Sequence, residues 1–106
     1  MKKLRLSEKE IEIIKNTAKK VFGKNISVFI YGSRTDLNKK GGDIDILIKT
    51  DKKVSLEKEL DFLAELELQG IERKCDVLIL SVNSRIKPIY KTALETGVRI
   101  LWLRKY

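Results

Sequence analysis

Two short apolar segments separated by a polar, glycine-containing loop constrain the fold of this chain most. The first, ISVFIY at residues 26–31, stops at Gly32. The second, DIDILIK at residues 43–49, opens with Asp43 and Asp45 and is otherwise mostly isoleucine and leucine. Short runs of β-branched and aromatic residues bounded by glycine and polar residues predict buried strands. The chain therefore places two carboxylates at the head of a strand that packs on a core.

Helical segments alternate with these strands. Ser7 and Glu10 form an S-x-x-E capping box, which predicts a helix that ends at Gly23. A second helix is predicted between Ser55 and Gly70, with acidic residues in its first turn. Its leucines at helical spacing are Leu56, Leu60 and Leu63.

The last third of the sequence adds a strand at 75–81, a helix within 83–97 and a strand at 98–103. Pro88 lies in the first turn of that helix or marks where its regular part begins, because proline cannot donate a backbone hydrogen bond. The order α-β-β-α-β-α-β predicts an α/β fold with a small mixed sheet of about four strands flanked by helices. A length of 106 residues predicts one domain over residues 1–106.

Composition excludes several kinds of catalysis and favours an anionic partner. The chain has no histidine and a single cysteine, Cys75, so it has no Ser-His-Asp or Cys-His catalytic set and no histidine-containing zinc site. Its net charge of +8 suits nucleotides, nucleic acid or an acidic partner, and a lysine-rich solvated surface explains it equally well. No apolar run has the length of a signal peptide or a membrane span, so we expect a cytoplasmic protein that does not bind membranes.

Asp43 and Asp45 carry the first sign of a metal site. Alternate residues of a strand point to the same face, roughly 6 to 7 Å apart, while Ile44 and the isoleucines after it point into the core. Two neighbouring carboxylates repel each other and stay ionised only if cations, donors or water compensate them. A divalent metal ion is the best compensation.

Asp76 repeats the pattern at the head of the third strand. If that strand lies beside the second, Asp76 approaches Asp43 and Asp45 from the side. Three carboxylates with water and substrate oxygens give the octahedral oxygen shell that Mg²⁺ requires. Two such ions would suit an in-line phosphoryl transfer.

The turn after the first strand has the properties of a phosphate-binding loop. Gly32 permits a sharp turn and a close backbone approach, and the following N–H groups and the Ser33 hydroxyl can hold phosphate oxygens. Arg34 adds a fixed positive charge that can bind a phosphate through two hydrogen bonds. Tyr31, just before the turn, is interpreted as a packed strand residue rather than as a platform for a nucleotide base.

These elements together resemble one superfamily. A Gly-Ser turn, a spacer of nine residues, a D-x-D pair and a further strand aspartate about thirty residues later are similar to the nucleotidyltransferases that include polymerase β. The resemblance covers nearly the whole chain and is strongest to the minimal nucleotidyltransferases, or MNT proteins. One departure is Gly42 before the D-x-D pair, where the family often has serine.

The resemblance implies a function and a set of residue roles. Gly32 and Ser33 would bind the nucleotide phosphates, and Asp43, Asp45 and Asp76 would bind Mg²⁺, with two ions expected and Asp76 helping to activate the acceptor. ATP would be the donor of an AMP group. A small HEPN-type toxin protein would be the partner, with this chain as its antitoxin and a hydroxyl of the toxin as acceptor, because the chain has no room for an acceptor domain.

Two alternatives stay open at this stage. The chain could be a binding module with a vestigial site that neutralises its partner by contact alone. It could also act on RNA, or bind nucleic acid without chemistry. The intact set of carboxylates argues against the first, and the lack of an RNP-like aromatic motif or a dense basic helix argues against the second, so we expect only weak, non-specific nucleic-acid binding.

Overall fold

The computed structural model describes residues 6–31, 44–81 and 88–103. Helices and strands alternate within these ranges in the order that the sequence predicts. They are α1 Glu8–Phe22, β1 Ile26–Tyr31, β2 Ile44–Thr50, α2 Leu56–Leu68, β3 Cys75–Leu80, α3 Pro88–Thr96 and β4 Val98–Leu103. Pro88 is the first described residue of α3.

Local sequence signals set the ends of α1. The Ser7 hydroxyl accepts a hydrogen bond from the Glu10 backbone N–H at 3.0 Å, and a Glu10 carboxylate oxygen accepts one from the Ser7 N–H at 3.0 Å. Both halves of the predicted capping box are therefore formed. At the other end Gly23 has a φ of 80° and donates its N–H to the Lys19 carbonyl. Only glycine takes up this backbone conformation without strain, which explains why α1 stops there.

The four described strands form one mixed sheet in the order β3-β2-β1-β4. β1 lies antiparallel to both β2 and β4, and β2 lies parallel to β3. β1 and β2 are consecutive strands of the chain, whereas β2 and β3 are joined through α2, as a parallel pair requires. The predicted small mixed sheet flanked by helices is confirmed.

One face of the sheet carries the main core. Ile44, Ile46 and Ile48 of β2 are at most 3% exposed, as the alternation in β2 predicts, and they pack with residues of α1 and α2. The Phe22 and Phe62 rings of the two helices meet at a centroid distance of 5.3 Å. An ion pair from Lys20 to Glu65 at 3.3 Å joins the same helices at the surface.

The opposite face is covered by α3. Leu47 of β2 and Ala93 of α3 are both fully buried although neither belongs to the main core cluster. The chain turns from α3 into β4 at Gly97, whose N–H donates to the Ala93 carbonyl at 2.8 Å. A Cβ atom at Gly97 would collide with that carbonyl oxygen and lie 3.3 Å from the Phe29 Cβ. Close packing of α3 on β1 therefore requires glycine at this turn.

α2 presents one apolar stripe to the core and another to solvent. Phe62 and Leu66 are buried, whereas Leu56, Leu60 and Leu68 are 68%, 56% and 79% exposed. The helical spacing of Leu56 and Leu60 correctly predicts a shared side of the helix, and the structure shows that this side faces outward. No helix in the described part of the chain is long and apolar enough to cross a membrane.

Candidate active site

Two of the predicted site residues are direct neighbours in the sheet. β2 and β3 pair in parallel with Asp45 opposite Asp76, and the bond from the Ile44 N–H to the Lys74 carbonyl at 2.9 Å fixes this register. Paired residues of adjacent strands lie about 4.8 Å apart and point to the same face. The sequence predicted that Asp76 approaches the D-x-D pair if β3 lies beside β2. The structure shows this pairing of β2 and β3.

The two carboxylates lie on the α3 side of the sheet, near its edge at the start of β2 and β3. Asp45 is half-buried and Asp76 is exposed. This face of β2 is apolar one step further along, where Leu47 is fully buried. The carboxylates therefore stand at the boundary between a packed interior and solvent, where a charged ligand can reach them without burial of the whole site.

Tyr31 extends the row of polar residues onto a third strand. It is the last residue of β1 and pairs with Asp45, so Tyr31, Asp45 and Asp76 follow one another across β1, β2 and β3 on one face. Burial raises the pKa of the Tyr31 hydroxyl to about 12, and the charges of Asp45 and Asp76 add to this effect, with a smaller contribution from Tyr90. Each of these influences disfavours a phenolate beside the carboxylates.

The place of Tyr31 in this row was missed by sequence reasoning. The residue is half-buried, which agrees with a packed strand residue, but it also pairs with Asp45, which pairs with Asp76. Its position directly before Gly32 was visible in the sequence. The antiparallel pairing of β1 and β2, which sets Tyr31 opposite Asp45, was the missing information.

Tyr90 of α3 closes the outer side of β3. Its hydroxyl donates to the Ile79 carbonyl at 3.3 Å. The Lys74 carbonyl points toward β2, and carbonyls alternate along a strand, so the Ile79 carbonyl points away from β2. Tyr90 therefore satisfies an acceptor at the outer edge of the described sheet.

A cavity of about 210 Å³ adjoins this contact, lined by Val54, Glu59, Val77, Leu78, Ile79, Ser81 and Tyr90. It is smaller than the roughly 300 Å³ at which ligand pockets begin, and neither site carboxylate lines it.

Four predicted site residues lie outside the described ranges: Gly32, Ser33, Arg34 and Asp43. The described residues contain no group of three acidic, histidine or cysteine side chains that could hold a metal ion. They supply Asp45 and Asp76 as a pair. The complete carboxylate set with Asp43 and the phosphate-binding role of the Gly-Ser turn stay predictions.

The described pair fits the chemistry of a magnesium site. Asp45 and Asp76 offer oxygen atoms only, which is the donor type that Mg²⁺ prefers. Asp45 pairs with both Tyr31 and Asp76 in the sheet register, so the two carboxylates act on one region of space. A divalent cation in that region would offset the repulsion between them.

An α/β domain with a mixed four-stranded sheet and carboxylates at the heads of adjacent strands agrees with the resemblance to nucleotidyltransferases that the sequence motifs carry. The family comparison agrees: the model of the family described as polymerase beta, nucleotidyltransferase, matches residues 9–103. The chain belongs to this family. No curated protein matches the sequence closely enough to be recognised as a relative.

Solved structures share the fold at low sequence identity. A protein from Shewanella oneidensis superposes with a TM-score of 0.69 at 11% identity, over 92% of this chain and 73% of the other. A structure described as the toxin-antitoxin MntA-HepT gives 0.69 at 11% identity, over 91% and 73%. A chain of a third structure, described as a tri-AMPylated Shewanella oneidensis HEPN toxin in complex with MNT antitoxin, superposes with a TM-score of 0.60 at 17% identity. The match covers 89% of this chain and 70% of the other. At these identities the likeness concerns the fold alone.

Proposed function

We propose that this chain is a Mg²⁺-dependent nucleotidyltransferase that transfers AMP from ATP to a hydroxyl group of a partner protein in the cytoplasm. The observation that carries the proposal is the register of Asp45 and Asp76 on adjacent parallel strands of a nucleotidyltransferase fold. Two carboxylates brought together from separate parts of the sequence make a site that neither segment makes alone.

Each site residue has a defined role in this proposal. Asp45 and Asp76, together with Asp43, hold the metal, and bound Mg²⁺, with two ions expected, would neutralise charge on the phosphoryl oxygens. Gly32 and Ser33 hold the phosphates of ATP, and Arg34 adds a positive charge beside them. Asp76 is more exposed than Asp45, so it is the carboxylate better placed to meet an incoming acceptor.

The transfer balances without any further reactant. The acceptor oxygen forms a bond to the α-phosphorus of ATP while the bond from that phosphorus to the bridging oxygen of the β-phosphate breaks. Pyrophosphate leaves, and the proton of the acceptor hydroxyl passes to the Asp76 carboxylate and then to water. Catalysis of this type needs positioning and charge neutralisation rather than a covalent intermediate.

The fold neighbours support a toxin protein as the acceptor. One of them is described as the toxin-antitoxin MntA-HepT, and another as a tri-AMPylated HEPN toxin in complex with MNT antitoxin. We propose by analogy that this chain is the antitoxin of a HEPN-type toxin and that it modifies a hydroxyl of that toxin. The gene beside that of this chain should then encode a small helical HEPN-type protein.

The two alternatives predict different behaviour. A contact-only antitoxin needs no ATP and tolerates loss of the carboxylates. An RNA-directed enzyme transfers the nucleotide to an RNA end instead of a protein. The net charge of +8 is the observation that keeps the RNA alternative open.

Co-expression with the HEPN-type partner tests the proposal directly. Intact-mass spectrometry should show the partner heavier by one or more adenylyl groups with the parent chain and unmodified with Asp76→Asn. Glu12→Gln, which removes an exposed carboxylate on α1, is the matched control and should leave the modification intact. An unmodified but neutralised partner in every case would favour the contact-only module, and equal modification by Asp76→Asn would show that the carboxylate pair is not the active site.

A further inference from the structure

The outward side of α2 is an unusual surface for a protein of this charge. Leu56, Leu60 and Leu68 are 68%, 56% and 79% exposed, and their spacing of four and eight residues places them on one side of the helix. A partner that covers these three aliphatic side chains removes apolar surface from water, which favours binding.

Acidic residues share this side of the helix. Glu57, Asp61 and Glu67 are all exposed, and a helical rotation of 100° per residue sets them among the three leucines. We call these six residues the α2 outer face. α2 as a whole contains five acidic residues and one lysine, a net charge of −4 in a chain whose total is +8.

Charge decides which occupant suits this surface. Nucleic acid and anionic membranes are repelled by an acidic face, although the rest of the chain would attract them. A second copy that used the same face would bring two acidic helices together, which like-charge repulsion opposes. A protein surface that combines leucine-sized side chains with lysine or arginine satisfies both the apolar and the acidic groups.

We propose that the α2 outer face is the docking surface for the partner protein, which binds it through apolar side chains flanked by lysine or arginine. This inference rests on the proposed function only in taking the partner to be the HEPN-type toxin. α2 covers the face of the sheet opposite to Asp45 and Asp76, so docking and nucleotide transfer use separate parts of the molecule.

Calorimetric titration of the purified HEPN-type toxin tests this surface at about 150 mM salt. Leu56→Ser combined with Leu60→Ser should weaken toxin binding at least about tenfold, because the complex would no longer bury two large aliphatic side chains. Asp61→Lys should also weaken it. Glu12→Lys is the matched control, since it makes the same charge change at an exposed helical position on α1, and it should leave the affinity within about twofold.

The outcomes separate this inference from the proposed function. Unchanged affinity in the leucine variant, equal loss in Asp61→Lys and Glu12→Lys, or no binding of the toxin by the parent chain would each overturn the docking surface. A parent chain that self-associates through the two leucines would also overturn it, in favour of a second copy. If the parent chain neither transfers AMP nor binds ATP, while the α2 variants still weaken toxin binding, the proposed chemistry is refuted and the docking surface is not.

Discussion

Asp45 on β2 and Asp76 on β3 are paired residues of two parallel strands, although about thirty residues of chain separate them. The connection between them runs through α2, which packs on the opposite face of the sheet. The side chains therefore share the α3 side of the sheet, near its edge, which the connecting helix does not block. This relationship leads to the first prediction, on metal binding.

Replacing both carboxylates with amides should remove the response to metal and nucleotide. We expect Mg²⁺ with ATP to raise the melting temperature of the parent chain, because a ligand that binds only the folded state stabilises it. Asp45→Asn combined with Asp76→Asn should lose this shift and, without metal, be at least as stable as the parent, because repulsion is relieved. Differential scanning calorimetry checks both, with Glu12→Gln as the control. A full shift in the double variant would place the metal elsewhere.

Tyr31 should make the metal-free protein less stable as the pH rises from 10 toward 12. The folded pKa is about 12 against an ordinary value of 10.0, so the unfolded chain loses the phenolic proton first and stability falls across this window. Absorbance of tyrosinate should show a late titration step that Tyr31→Phe removes. Asp45→Asn combined with Asp76→Asn should lower this pKa only in part, because burial is the largest cause. A step that is unchanged in the double variant would contradict the geometry.

Two leucines two residues apart on α2 should lose very different amounts of stability on truncation. Leu66 is 1% exposed and Leu68 is 79% exposed. Leu66→Ala should lower the free energy of unfolding by about 2 to 5 kcal/mol through lost burial and a cavity. Leu68→Ala should change it by less than about 0.5 kcal/mol. Urea unfolding followed by circular dichroism measures both, and similar losses would mean that α2 is rotated from the orientation described.

Gly97→Ala should destabilise the fold although it adds a single methyl group. The new Cβ would meet the Ala93 carbonyl oxygen and approach the Phe29 Cβ to 3.3 Å, so α3 must shift from β1. Overpacking of this kind costs about 1 to 3 kcal/mol. Gly70→Ala is a useful contrast, since no atom lies within 4 Å of its Cβ and any loss there comes from its φ of 112°. Thermal unfolding compares the two, and a neutral Gly97→Ala would show a looser turn than described.

The net charge of +8 should give only weak nucleic-acid binding. We expect binding of RNA or DNA near ~50 mM salt that disappears near ~150 mM, because it depends on counterion release and not on base contacts. Fluorescence anisotropy with unrelated oligonucleotides checks this. Tight and sequence-selective binding at ~150 mM salt would support the RNA-directed alternative.

Local patterns in the sequence were sufficient for the elements and for part of the site. The capping box of Ser7 and Glu10 marked the start of α1, and alternation in β2 correctly separated the buried Ile44 and Ile46 from Asp45. These signals act over two to four residues, within the reach of one strand or one helical turn. The roles of Gly32, Ser33, Arg34 and Asp43 follow from the same local spacing and stay predictions.

The sequence by itself thus determined which residues form each helix and strand and which carboxylates were candidates for a metal. Only the tertiary structure decided that Asp76 stands opposite Asp45, that Tyr31 joins them, and that α2 buries Phe62 while it exposes Leu60. Periodicity gives the relative direction of neighbouring side chains within an element. Strand pairing and helix orientation depend instead on contacts between distant segments, and a helix with two apolar stripes satisfies its own periodicity whichever stripe is buried.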